Sequence, residues 1–99
     1  MGELNPLIHQ PTRLRIMAAL VSLEPDEKAD FGFLRGLLEL TDGNLSVHLQ
    51  KLEAAGYVNI EKTFEGRRPK TWVSISQEGH DAFSEHIDAL GAIVKKAGL

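Results

Sequence analysis

A change of period narrows this chain more than any other feature. From Leu40 to Ile75 the apolar residues first recur every three or four positions, then every second position. Thr41 suits a helix N-cap and Asp42 suits the positive end of the helix dipole. Leu45, Leu49 and Leu52 follow at i, i+4 and i+7, and Gly56 supplies a C-terminal stop. From Tyr57 to Phe64 the pattern alternates, with Val58, Ile60 and Phe64 on one face and Asn59, Glu61 and Thr63 on the other. Glu65-Gly66-Arg67-Arg68-Pro69 reads as a loop, and Lys70 to Ile75 alternates again through Thr71, Val73 and Ile75. The spacing predicts one capped helix running directly into an antiparallel hairpin with arginines near its tip.

The flanks add helices. Asn5-Pro6 and Pro11 both suit a helix start, and the sequence leaves open which one is used. Two apolar stripes cover the helix from Thr12 to about Leu23: Leu14, Met17, Ala18 and Val21 on one, Ile16, Leu20 and Leu23 on the other. A helix with two stripes is buried on two sides, one in the core and the other against a partner. A polar break covers Glu24 to Lys28, a short strand is expected near Ala29-Asp30-Phe31, and a short helix from Gly32 to Glu39. Ser76 caps a last helix on which Phe83, Ile87, Leu90, Val94 and Ala97 step as a heptad seam. On that seam, and on the outer stripe of the first helix, the expected dimer interface is Ile16, Leu20, Leu23, Phe83, Ile87, Leu90 and Val94.

Composition excludes several functions. At 99 residues there is material for one domain. Without cysteine there are no disulfides, thiolate metal sites or cysteine nucleophiles. The longest apolar run, Ile16 to Val21, is far short of the ~20 residues a bilayer requires, and the N-terminus lacks a basic-then-apolar signal sequence. A cytoplasmic location with no membrane partner is expected. Net charge is −3, but residues 41–75 sum to +1 while each flank sums to −2.

That one positive segment holds the candidate site. At about 100° per residue, Gly43, Asn44, Val47, Gln50 and Lys51 lie opposite the leucines, with Ser46 and His48 on the flanks. A merely solvated face usually carries Glu–Lys pairs four apart, and positions 43 to 50 have none. Asn and Gln can bond adenine edges, Ser and His can reach a base or phosphate, and Val47 can touch a thymine methyl. Thr41 and the free amides after it can hold a phosphate. Turn arginines are often only solubilising, but Gly66 and Pro69 restrict the loop that carries Arg67 and Arg68, and Lys70 follows. Arginine there can enter a minor groove or clamp phosphates. The fold class is therefore α+β, mostly helical: a winged helix-turn-helix with a three-helix core, a two-stranded wing and a C-terminal dimerisation helix. Its segments are about 1–24, 29–56, 57–75 and 76–99.

The stretch from Leu40-Thr41 through Leu52-Glu53, the link Ala55-Gly56-Tyr57-Val58 and the run Gly66-Arg67-Arg68-Pro69-Lys70-Thr71 resemble the compact stand-alone winged-helix transcriptional regulators related to the MarR and ArsR groups. The resemblance spans nearly the whole chain. It implies a homodimer with the first and last helices at its interface, and a recognition helix over about Thr41 to Ala55. The function expected is sequence-specific binding of double-stranded DNA at a near-palindromic operator, as a repressor. The alternative is a winged-helix module that contacts protein instead. No residue pattern marks an effector site, and no cofactor is implied.

Catalysis and metal binding have little support. Ser46 and His48, two apart on a helix, cannot face one another, and no Gly-rich phosphate loop is present. His80 and His86, with Asp81, Glu85 and Asp88, are the only candidate metal ligands. His80 and His86 are six apart, so one helix does not bring them together though two subunits could, and His80 continues the seam, which favours packing. His9 has no evident partner, so a surface or cap role is expected.

Overall fold

The computed structural model describes residues 3–98. Its elements are α1 (Pro11–Val21), β1 (Ala29–Asp30), α2 (Phe31–Leu38), α3 (Asp42–Ala54), β2 (Val58–Glu65), β3 (Arg68–Ile75) and α4 (Gln77–Lys96). The sheet is antiparallel in the order β1-β3-β2, so the two-stranded wing gains a third, short strand. No helix among the described residues is long and apolar enough to cross a membrane.

Local chemistry sets the boundaries. Gln10 rather than Asn5 caps α1, accepting from the Arg13 amide at 2.8 Å ahead of Pro11. Asn5 instead starts a single turn, its Oδ1 accepting from the amides of Leu7 and Ile8. Asp30 ends β1 and caps α2 by accepting from the Phe33 amide. At the helix-turn-helix corner Glu39 is left-handed, with φ 54°. Such a conformation costs a non-glycine residue about 1 kcal/mol, and the guanidinium of Arg15 offsets part of it by donating to the Leu38 carbonyl at 3.1 Å. Thr41 caps α3 as expected, its Oγ1 taking the Asn44 amide at 3.1 Å. At the other end, the Gly56 amide donates to Glu53 and the Tyr57 amide to Leu52, the paired bonds of a Schellman stop around a glycine at φ 81°.

The core draws one face from every element. Leu45, Leu49 and Leu52 of α3 meet Ile16, Met17 and Leu20 of α1, Leu34 and Leu38 of α2, and Val58 and Val73 of the sheet. Here one expectation is corrected. Ile16 and Leu20 are only 0% and 1% exposed within the single chain, so they present no surface to a second one. The buried arc of α1 is Ile16, Met17 and Leu20, while Ala18 of the other stripe is exposed and Leu14 and Val21 are half-buried. Leu23 and Phe83 are half-buried against the same core.

On the last helix the heptad row is not the one the chain buries against itself: Ile87 and Val94 stay exposed. The buried positions of α4 are Gly79, His86 and Ala89. His86, 1% exposed, points inward, and His80 is exposed rather than part of a packed seam. The Asn5 amide donates to Nδ1 of His86 at 3.0 Å, and Nε2 of His86 lies 3.4 Å from Nδ1 of His9, which gives His9 a partner. Asn5 also donates through Nδ2 to the Tyr57 hydroxyl at 2.9 Å. One asparagine thus ties the N-terminal segment to α4 and to the α3–β2 junction. On the far half of α4 Ile87 and Val94 are each 42% exposed and Ile93 is 50% exposed. The molecule measures 54 × 25 × 22 Å with a radius of gyration of 14.6 Å, above the ~13 Å expected of a compact domain this long.

Candidate nucleic-acid interface

The leucine face of α3 is driven into the core, so its opposite face is presented as a unit. Gly43, Asn44, Val47, Gln50 and Lys51 are exposed, Ser46 and His48 are half-buried at the edges, and Thr41 is exposed at the start. Val47, an apolar residue with half its surface open, makes no contribution to the core. Gly43 has nothing within 4 Å of where a Cβ would stand, so outside matter can approach its backbone closely. Part of the expected anion site is already filled, because the Thr41 hydroxyl takes the Asn44 amide.

Two side chains absent from the expected site join it. Arg35 of α2 bonds Asp42 at 2.5 Å across the corner. That hydrogen bond first, then the charge of Asp42, holds the guanidinium above its ordinary pKa. The pair neutralises an acid that would repel phosphate at the start of α3. Arg13 of α1 reaches Nδ1 of His48 with Nη1 at 3.2 Å and donates through Nε to the Leu7 carbonyl at 2.6 Å. Burial first, then Arg13 and Lys51, push the His48 pKa below its ordinary 6.5. Helical spacing could show neither contact, since each joins two helices.

The wing is longer and its turn tighter than expected. Gly66 and Arg67 are its two loop residues, and Gly66 at φ 62° has the positive φ that a two-residue hairpin needs at its first position. Arg68 is therefore the first residue of β3, opposite Glu65, and Pro69 lies within the strand, opposite Phe64. Proline is tolerated there because β1 pairs only with Trp72 and Val73, which leaves the other edge of Pro69 open. Arg67 and Arg68 are exposed. Lys70 is not a free cation: it sits 4.9 Å over the Trp72 ring and 3.6 Å from Glu65, while the indole N–H donates to Thr63. Phe64 shares the face of Val58 and Ile60 but lies beyond the body, 73% exposed. Between the wing and α3 runs a groove of about 620 Å³, with Ser46, Gln50, Ile60, Lys62 and Thr71 among its walls. Asp42 and Glu53 also line this groove, and Asn44, Val47, His48, Arg67 and Arg68 lie outside it.

Elsewhere, no group of three or more His, Asp or Glu side chains able to hold a metal occurs among the described residues.

Comparison with known proteins places this geometry. A family model described as a winged helix DNA-binding domain matches residues 12–94. A protein of Methanocaldococcus jannaschii, itself uncharacterised, is 38% identical over 81 residues, 82% of this chain and 85% of its own. A transcriptional regulator homologue from Pyrococcus horikoshii superposes with a TM-score of 0.84 at 33% identity, covering 94% of this chain and 89% of its own. A zinc-responsive MarR family member of Lactococcus lactis, ZitR, shares the fold at a TM-score of 0.65 and 15% identity, covering 99% of this chain and 65% of its own.

Proposed function

The chain belongs to the winged helix DNA-binding domain family, and from that premise we propose that it acts as a homodimeric repressor of transcription on a near-palindromic operator. Its fold is that of regulators rather than enzymes. The observation that carries the reading is the exposed polar face of α3 beside the wing, with a groove between them. The helix bears short polar side chains without ion pairs between Gly43 and Gln50, and the wing ends in exposed Arg67 and Arg68. Asn44, Ser46, Val47, His48 and Gln50 suit the major groove. Lys51, Arg67, Arg68 and the amides after Thr41 suit phosphates, and Lys70 acts through the wing it braces.

Dimerisation is supported by the elongated shape and by the apolar far half of α4. Leu90, Ile87 and Val94 carry the proposed interface, with the exposed edges of Leu23 and Phe83 beside it and with Ile16 and Leu20 removed from it. Two copies joined there would set two recognition helices about one DNA turn, ~10 bp, apart. A cytoplasmic location follows from such a role.

Selection from a random duplex pool at two salt concentrations tests the reading. The expected result is a recovered palindrome whose retention falls steeply with salt, at a slope near −0.9 per phosphate neutralised. No enrichment at either salt would overturn it in favour of a protein partner for the same surface.

A further inference from the structure

Arg13 stands where helix electrostatics would not place it. It is the third residue of α1, at the positive end of the dipole, where acids are favoured, yet the first turn of α1 has no acid. Its guanidinium is held from two sides, by the Leu7 carbonyl at Nε and by His48 at Nη1. A guanidinium carries donors only. In the contact between them the Nδ1 of His48 must therefore accept, which leaves the single ring proton on Nε2. His48 sits on the flank of the exposed α3 face, half-buried beside Ser46 and Val47.

We propose that Arg13 is a positioning residue that holds His48 in its Nε2–H tautomer, so that the recognition helix offers DNA a neutral hydrogen-bond donor at this position rather than a cation. The proposal rests on the DNA-binding reading above. A neutral imidazole N–H suits an acceptor on a base edge, such as N7 or O6 of guanine. A cation would also be drawn to any phosphate, and a phosphate contact carries no sequence information directly. The charged groups that act on the ring are Arg13 from α1 and Lys51 from α3, both cations that disfavour a second proton. Burial comes first in keeping the ring neutral, and Arg13 adds its charge to the geometric lock.

Three measurements test this together. Nitrogen-15 shifts of the His48 ring in the free protein should report the Nε2–H form from about pH 8 down to the ordinary histidine pKa of 6.5. R13M, which keeps the stem and removes the donors, should show mixed tautomers, and R13K should largely restore the single form. On the duplex selected by the wild-type protein, R13M should bind more tightly as pH falls through that window, because the freed ring charges near phosphates. R13M/H48Q should lack that rise, which separates His48 from the other histidines. H48Q alone should lose about tenfold discrimination at one base pair while its salt slope stays unchanged. An Nδ1–H ring in the wild-type protein, or R13M with unaltered tautomer and pH profile, overturns the proposal. A salt slope lowered by about 0.9 in H48Q without loss at any base pair would place the ring on a phosphate and overturn it as well. If the wild-type chain selects no duplex, the DNA reading fails, and the ring shifts still decide the Arg13–His48 coupling.

Discussion

Gly79 fixes where α4 leaves the domain, and filling it should move that helix. A Cβ built there would lie 2.1 Å from the Tyr57 carbonyl oxygen and 2.9 Å from Cγ1 of Ile75. Ordinary contact begins near 3.4 Å, so roughly 1.3 Å has to be found. The obstructing oxygen is backbone, already accepting from the Ser76 amide at 3.0 Å, and Tyr57 is held besides by the Schellman stop and the Asn5 bond. It cannot swing aside as a side chain would. Overpacking of this kind costs about 3 kcal/mol at the upper end of its range. Alanine in place of a helical glycine returns about 1 kcal/mol, so Gly79→Ala should lose about 2 kcal/mol, or ~10 °C in melting temperature for a domain of this size. Gly36→Ala is the control: it too is helical, with nothing within 4 Å, and should gain about 1 kcal/mol. Thermal unfolding by circular dichroism at one fixed protein concentration compares them, since a dimer melts in a concentration-dependent way. If Gly79→Ala melts at or above Gly36→Ala, the close approach does not constrain α4 and the reasoning fails.

Changing Asn44 or Gln50 to Ala should cost about 1–3 kcal/mol on the selected operator and relax preference at one position, whereas Arg67→Ala should weaken all duplexes alike; competition binding against single-base variants tells them apart, and uniform loss from both kinds would refute the base-reading roles. Ile87→Asp should yield a monomer by sedimentation that no longer binds the full operator, because it would bury an unpaired charge in the interface; a dimer that persists would refute the placement of the interface on this face. Acid should destabilise the fold: burial, then His9, holds the His86 pKa below its ordinary 6.5, so the unfolded chain takes up a proton that the folded one refuses. That stability is present above about pH 6.5 and is lost as pH falls below it. The urea midpoint should drop between about pH 7.5 and 5.5, less in His86→Gln than in the wild-type chain; an equal drop in both would refute the assignment.

Periodicity exposed those parts of the molecule that one element decides alone. The leucine row of α3, its threonine cap, its glycine stop and the alternation of the hairpin all depend on neighbours within a few residues, and all appear where the spacing puts them. Contacts between elements left no such trace. Arg13–His48 and Arg35–Asp42 join helices whose relative phase is reset by an intervening turn, and Asn5 meets His86 across 81 positions. The extent of the wing turn is hidden for a different reason: Pro69 reads as a loop residue, and only the short reach of β1 leaves its edge free within the strand.

The apolar stripes of α4 carry the sharpest lesson, because two lie about one residue apart. Phe83, Ile87, Leu90 and Val94 make the more obvious row, and the heptad reading follows from it. The chain buries the neighbouring row instead, through Gly79, His86 and Ala89, since only a glycine lets α4 start against the Tyr57 carbonyl. A histidine can occupy the interior of that row because Asn5 satisfies its ring. Ile87 and Val94 are thereby left outward, while Phe83 stays half-buried against the core. Gly79, His86 and Ala89, with Ala82 and Phe83, dock α4 onto its own chain, and Ile87, Ile93 and Val94 remain exposed. This division assigns the row at Ile87 and Val94, rather than the first helix, to the proposed second copy.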